Sequence, residues 1–143
     1  MLVKQVSVFL ENKPGRLADI TRLLGDNGID ISALSLADTT NFGILRIIVN
    51  DPDRAVRIIK ENGFTVKTTE VLAVEVEDRP GGLAKVLKIL EEQNVSIEYA
   101  YSFVKRNEDK AYVLLKVEQP QKVVELLKDT DLRVLTDEEV YGL

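Results

Sequence analysis

The segment Glu11-Asn12-Lys13-Pro14-Gly15-Arg16-Leu17 returns 66 residues later as Glu77-Asp78-Arg79-Pro80-Gly81-Gly82-Leu83, and most of the chain falls into register behind that repeat. A sequence that spells one pattern twice is constrained to fold as two copies of one small unit. Each copy follows an alternating apolar run and precedes a helical periodicity, so each is a strand-to-helix turn built on Pro-Gly. Proline fixes its own φ and has no N–H to leave unpaired at a helix start, while glycine lets a second body approach the backbone closely. Such a turn presents helix N-terminal N–H groups, which favour an anion such as the carboxylate of a small ligand.

The first copy reads in order. Val6, Val8 and Leu10 alternate with Gln5, Ser7 and Phe9, which predicts a strand over Lys4 to Glu11 with one face on a core. From Gly15 the apolar spacing changes to Leu17, Ile20, Leu23 and Leu24, an amphipathic helix stopped by Asn27-Gly28. A second strand runs from Ile29 to Asp38, a turn of Asp38-Thr39-Thr40-Asn41 follows, and Phe42 to Val49 is a third strand. Asp51-Pro52 caps and opens a second helix that ends at Asn62-Gly63, and Phe64 to Thr69 is the fourth strand.

The second copy repeats this order with strands over Val71 to Glu77, Val95 to Lys105, Lys110 to Val117 and Leu132 to Leu135, and helices over Gly81 to Gln93 and Gln121 to Leu127. Core positions pair as Leu17 with Leu83, Ile20 with Val86, Leu24 with Leu90 and Ile31 with Ile97. The loop Arg106-Asn107-Glu108-Asp109 absorbs two extra residues. The predicted class is α+β: two tandem ferredoxin-like βαββαβ units, each with a four-stranded antiparallel sheet, over residues 1–69 and 70–143. No Gly/Ser or Pro break separates Thr69 from Val71, so the fourth strand of one unit runs almost directly into the first strand of the next. Thr136-Asp137-Glu138-Glu139 predicts a capping box and a short last helix able to lay Val140, Tyr141 and Leu143 on a neighbour.

With no cysteine and no histidine among 143 residues, disulfides, thiol chemistry, imidazole catalysis and His/Cys zinc sites are excluded. No metal or cofactor site is expected. A net charge of −5 argues against a broad nucleic-acid footprint, and no apolar run is long enough for a membrane span. The start Met1-Leu2-Val3-Lys4 enters a strand pattern rather than a signal peptide, so a cytoplasmic location is expected.

The pair of units resembles the ACT domain, the small amino-acid-sensing module of many metabolic enzymes. The Pro-Gly turn followed by Gly28-Ile29-Asp30-Ile31 is similar to the serine-sensing ACT domain of 3-phosphoglycerate dehydrogenase. The resemblance implies a non-enzymatic regulatory protein whose amino acid lies where two units meet. It implicates Asn12, Pro14, Gly15, Arg16, Leu17, Asp30 and Ile31 in the first copy, and Asp78, Pro80, Gly81, Gly82, Leu83, Ser96 and Ile97 in the second. An α-amino acid suits such a place chemically. Helix-start N–H groups serve its carboxylate, while Asp30, Asp78, the Asn12 amide oxygen and a strand-two carbonyl serve its ammonium.

Plainer readings stand beside this one. Asn12 and Asp78 could simply cap helices, and Asp30 and Ser96 could be solvated strand starts. Tyr99, Tyr101 and Phe103 fit sheet packing or subunit contact, while Glu75 and Glu77 read as solvated. The expected partners are an amino acid, a regulated enzyme and a second copy of the chain, since exposed sheet edges commonly pair. Alternatives are a ligand-free interaction scaffold and an acylphosphatase-like hydrolase using Arg16 and Asn41. An RNA-recognition module shares the strand order, but Ile44-Leu45-Arg46-Ile47-Ile48 and Val113-Leu114-Leu115 lack its stacking aromatics.

Overall fold

The alternating run that opens the chain becomes β1 (Val3–Glu11), and the residues as far as Thr69 are arranged about it. The computed structural model describes residues 2–38, 41–105 and 107–143. Thr39, Thr40 and Arg106, expected in turns, lie outside the described residues, as does Met1. Two compact units result. One is Lys4–Thr69; the other is Glu70–Leu143, to which Leu2 and Val3 also belong.

In the first unit, α1 (Arg16–Asp26) leads to β2 (Ile31–Asp38), β3 (Phe42–Val49), α2 (Pro52–Glu61) and the opening of β4 (Thr65–Glu77). The strand order is β2-β3-β1-β4. Antiparallel register sets Val8 opposite Leu45 and Leu45 opposite Leu36, so one row of side chains faces the helices. Val6, Val8, Leu10, Leu45 and Ile47 meet Ile20 and Leu24 of α1 and Ala55 and Ile59 of α2 in one buried cluster. Each fully buried valine, leucine or isoleucine side chain there contributes roughly 1.5–3 kcal/mol. Asp51 caps α2 as expected, its carboxylate accepting from the Arg54 N–H at 3.2 Å.

The second unit continues with α3 (Gly82–Glu92), β5 (Ile97–Ser102), β6 (Lys110–Val117), α4 (Pro120–Leu127) and α5 (Asp137–Tyr141). Its strands run β4-β6-β5, and its core gathers Leu72, Val74, Val86, Leu90, Leu115 and Leu127. The capping box at Thr136 and Glu139 forms as predicted, and Val140 is fully buried. Tyr99 and Tyr101 stack with ring centroids 6.4 Å apart, while Phe103 packs edge-on to Tyr112 at the same spacing.

Several expectations need correction. The two strands predicted around residue 70 are one 13-residue strand, β4, within which the chain passes from one unit to the next. The last strand, expected over Leu132 to Leu135, reduces to a single bridge between Val134 and Val74 with two flanking backbone hydrogen bonds, Glu75 N–H to Arg133 and Leu135 N–H to Ala73. The strand predicted over Val95 to Lys105 shortens to β5, which carries a register irregularity between Ile97 and Tyr99. Leu17 and Leu83 are 36% and 46% exposed rather than core, since each sits on the first turn of its helix beyond the sheet's cover. Gln5 and Ser7, the polar side of β1, are buried and share a 3.2 Å hydrogen bond. Neither Glu75 nor Glu77 is simply solvated: Glu75 is paired with Arg133 at 2.5 Å and Glu77 with Arg79 at 2.5 Å.

Candidate functional site

Both Pro-Gly turns fold alike. Gly15 and Gly81 take left-handed backbone with φ of 87° and 86°, and neither helix start receives a side-chain cap. Asn12 and Asp78 are therefore not the caps they could have been. The first closed turn of α1 is the Asp19 N–H to Gly15 carbonyl bond at 2.8 Å, and that of α3 is Lys85 to Gly81 at 3.0 Å. The amides of Leu17 and Ala18 precede that closure and have no intrahelical acceptor. A Cβ added at Gly15 or Gly81 would meet nothing within 4 Å, so each turn faces open space.

In the first unit this turn forms one wall of a cleft of about 220 Å3, lined by Leu10, Asn12, Arg16, Leu17, Leu36 and Gly43 together with Glu11 and Lys13. Strand register places Gly43 opposite both Leu10 and Asp38, making one row across three strands. At the outer end of the row the Asn12 amide donates to Asp38 at 3.2 Å. Gly43 has ordinary strand φ, so its missing side chain is a matter of space: a Cβ there would lie 3.3 Å from Leu36 Cδ1 and 3.5 Å from Asn12 Oδ1.

Arg16 is the cation of the site. Its guanidinium lies 4.9 Å from the Phe64 ring centroid, and its approaches to Glu11 and Asp19, at 3.9 and 4.0 Å, are too long for hydrogen bonds. Its Nε is the one buried side-chain nitrogen or oxygen among the described residues that has no hydrogen-bond partner. A buried donor left unsatisfied costs about 1–3 kcal/mol. Lys13, by contrast, is committed to Glu11 at 2.9 Å, and that hydrogen bond holds the Glu11 carboxyl below its ordinary range.

The expected site residues are distributed unevenly. Asn12, Arg16 and Leu17 share the cleft, with Pro14 and Gly15 forming its turn. Asp30 and Ile31 stand at the other end of α1, whose 11 residues span about 16 Å. The Asp30 N–H is bound there by Asn50 at 2.9 Å. In the second unit Gly82 lines a cavity of about 120 Å3 with Lys85, Lys110 and Arg133. Ser96 lines a different one of about 310 Å3 with Asn94, Gln119 and Lys122. Asp78 donates its backbone N–H to the Asp109 carbonyl at 2.7 Å, Pro80 and Gly81 form the turn, Leu83 is exposed and Ile97 opens β5. Leu36 and Gly43, which also line the cleft, were not among the expected residues; pairing strand two with strand three, and strand three with strand one, brings both beside Leu10.

The family model described as an ACT domain pair matches residues 1–143. The chain belongs to that family. Among solved structures, protein BT0572 from Bacteroides thetaiotaomicron is 43% identical, with a TM-score of 0.92 over 100% of this chain and 98% of that one. The regulatory subunit of aspartate kinase from Thermus thermophilus, in its ligand-free form, is 16% identical with a TM-score of 0.61, covering 88% of this ACT pair and 91% of that chain. The corresponding subunit from Thermus flavus is 14% identical with a TM-score of 0.60, covering 85% of each chain. Both kinase subunits share the fold of the ACT pair. A search of curated proteins finds no match. Among the described residues, no helix is long and apolar enough to cross a membrane.

Proposed function

We propose that this ACT pair is a non-enzymatic amino-acid sensor whose first Pro-Gly turn holds the ligand's carboxylate. The observation that carries the reading is Arg16: a partly exposed guanidinium positioned by Phe64, whose terminal nitrogens approach Glu11 and Asp19 only at 3.9 and 4.0 Å, beside uncapped helix-start amides and an open cleft. Charge-assisted bonds from guanidinium and amides to a carboxylate would complete that donor set. A second copy of the chain closes over the ligand, so that binding shifts an assembly equilibrium and, through it, the activity of a regulated enzyme. Differential affinity for the closed assembly is what makes such a device a switch.

Calorimetry across the twenty amino acids tests this reading. At least one binds at sub-millimolar concentration, Arg16→Ala weakens it at least tenfold, and light scattering shows a larger assembly with ligand than without. Absence of binding by any of them at several millimolar overturns the proposal.

A further inference from the structure

Leu2 and Val3 stand apart from the strand they lead into. β1 runs from Val3 to Glu11, yet Leu2 and Val3 belong with Glu70–Leu143, whereas Lys4 onward belongs to the other compact unit. Val3 is fully buried. Leu2 is half-buried and packs against the second unit's core, the cluster that includes Leu72, Val74, Leu115 and Leu127.

The second unit has a use for both residues. In the first copy the segment after the second helix is regular strand, the opening of β4, and it lies beside β1. The corresponding segment of the second copy makes one bridge, Val134 to Val74, and two backbone hydrogen bonds, Glu75 N–H to Arg133 at 3.0 Å and Leu135 N–H to Ala73 at 2.8 Å. β4 has β6 on one side and β1 on the other. In the second unit, the side of β4 away from β6 is therefore closed by that short bridged segment and by the residues that begin β1. The free energy of local opening follows the apolar contact and paired backbone that opening breaks, so two short segments hold an edge less firmly than one full strand.

We infer that Leu2 and Val3 form a strap on the second unit: when they detach, the edge of β4 and the core beneath it open, while the first unit's core stays closed. The rest of β1 is anchored separately, by Val6, Val8 and Leu10 in the first core. The Lys4 ammonium, next along the chain, pairs with Asp53 of the first unit at 2.9 Å, which puts the hinge of the strap between Val3 and Lys4. The strap works without ligand, so it stands or falls separately from the carboxylate reading of Arg16.

Native-state amide exchange of the full chain, read by NMR at fixed pH and temperature, tests this. Glu75, Leu135 and Leu115 report on the second unit, and Leu45 and Ile47 of β3 on the first. Leu2→Ser speeds exchange about fivefold or more at the first three amides and leaves the other two within about twofold. Leu2→Met, which keeps the apolar volume, stays within about twofold of the parent throughout. Leu2→Ala gives the same pattern at smaller size, and it carries the test should circular dichroism show the serine variant unfolded. Unchanged exchange at Glu75, Leu135 and Leu115, or an equal rise at Leu45 and Ile47, overturns the strap. So does a Leu2→Met effect as large as that of Leu2→Ser.

Discussion

Replacing Gly82 by alanine is the sharpest structural test of the second Pro-Gly turn. A Cβ at this position would stand 2.0 Å from the Glu77 carbonyl oxygen and 2.9 Å from its carbon, both main-chain atoms that cannot rotate aside. Relief requires the start of α3 or the end of β4 to move by about 1 Å, which strains the Gly82 N–H to Arg79 hydrogen bond of 3.0 Å. Overpacking of this kind costs about 1–3 kcal/mol, partly offset by alanine's helix preference of up to about 1 kcal/mol. A contact this short against backbone belongs at the top of that range, so a net loss of ~2 kcal/mol is expected. For a unit of this size that lowers Tm by roughly 8–16 °C. Urea denaturation followed by circular dichroism reads it as a lower midpoint with unchanged slope. Two glycines serve as controls. Gly81→Ala meets open space but keeps φ at 86°, costing about 1–2 kcal/mol from left-handed strain alone. Gly25→Ala, inside α1 with open space around it, gains about 0.5–1 kcal/mol. A Gly82→Ala chain as stable as the parent would refute the close-approach account of this turn.

Three further outcomes are expected. Leu45→Ala, which empties a fully buried position in the first core, costs about 2–5 kcal/mol by denaturant titration. Thr136→Ala removes the cap of α5 and costs about 1 kcal/mol, seen as faster amide exchange at Val140 and Gly142. The same helix is pH-sensitive. The Thr136 backbone N–H, which donates to the Glu139 carboxylate, is the largest cause holding that carboxyl below its ordinary value, helped by the Thr136 hydroxyl and Arg133. Its stabilisation is therefore present above the unfolded value of about 4.3 and lost as pH falls through the lower folded value. Protection of the Val140 amide, taken relative to the intrinsic exchange rate at each pH, falls across that acid window in the parent and loses the dependence in Glu139→Gln.

The parts of this fold that were legible in sequence are those written as periodicity. Val6, Val8 and Leu10 announce β1, Ile20 and Leu24 announce the buried stripe of α1, and Asp51-Pro52 announces the start of α2, because each pattern is a local consequence of backbone geometry. What was illegible depends on pairing. Nothing local says that Leu17 overhangs the sheet, that Gly43 falls opposite both Leu10 and Asp38, or that the strand ending at Leu135 is held by one bridge. Asp30 and Arg16 stand at opposite ends of α1 within one unit, so the expectation that both serve one ligand requires two units, as the resemblance implies.

The two copies separate what the fold requires from what the cleft requires. Ile20 and Leu24 correspond to Val86 and Leu90, all buried, so the helix-on-sheet core tolerates only a methyl's difference. Around the cleft the correspondence breaks: the second copy has Gly82 in place of Arg16, Ser102 in place of Leu36 and Ala111 in place of Gly43. The first of these is enforced by backbone. With Glu77's carbonyl oxygen 2.0 Å from the site of any Cβ at residue 82, no arginine could stand there without displacing the turn. The second turn therefore presents helix-start amides without a guanidinium, and a ligand that depends on Arg16 has one place in this chain to bind rather than two.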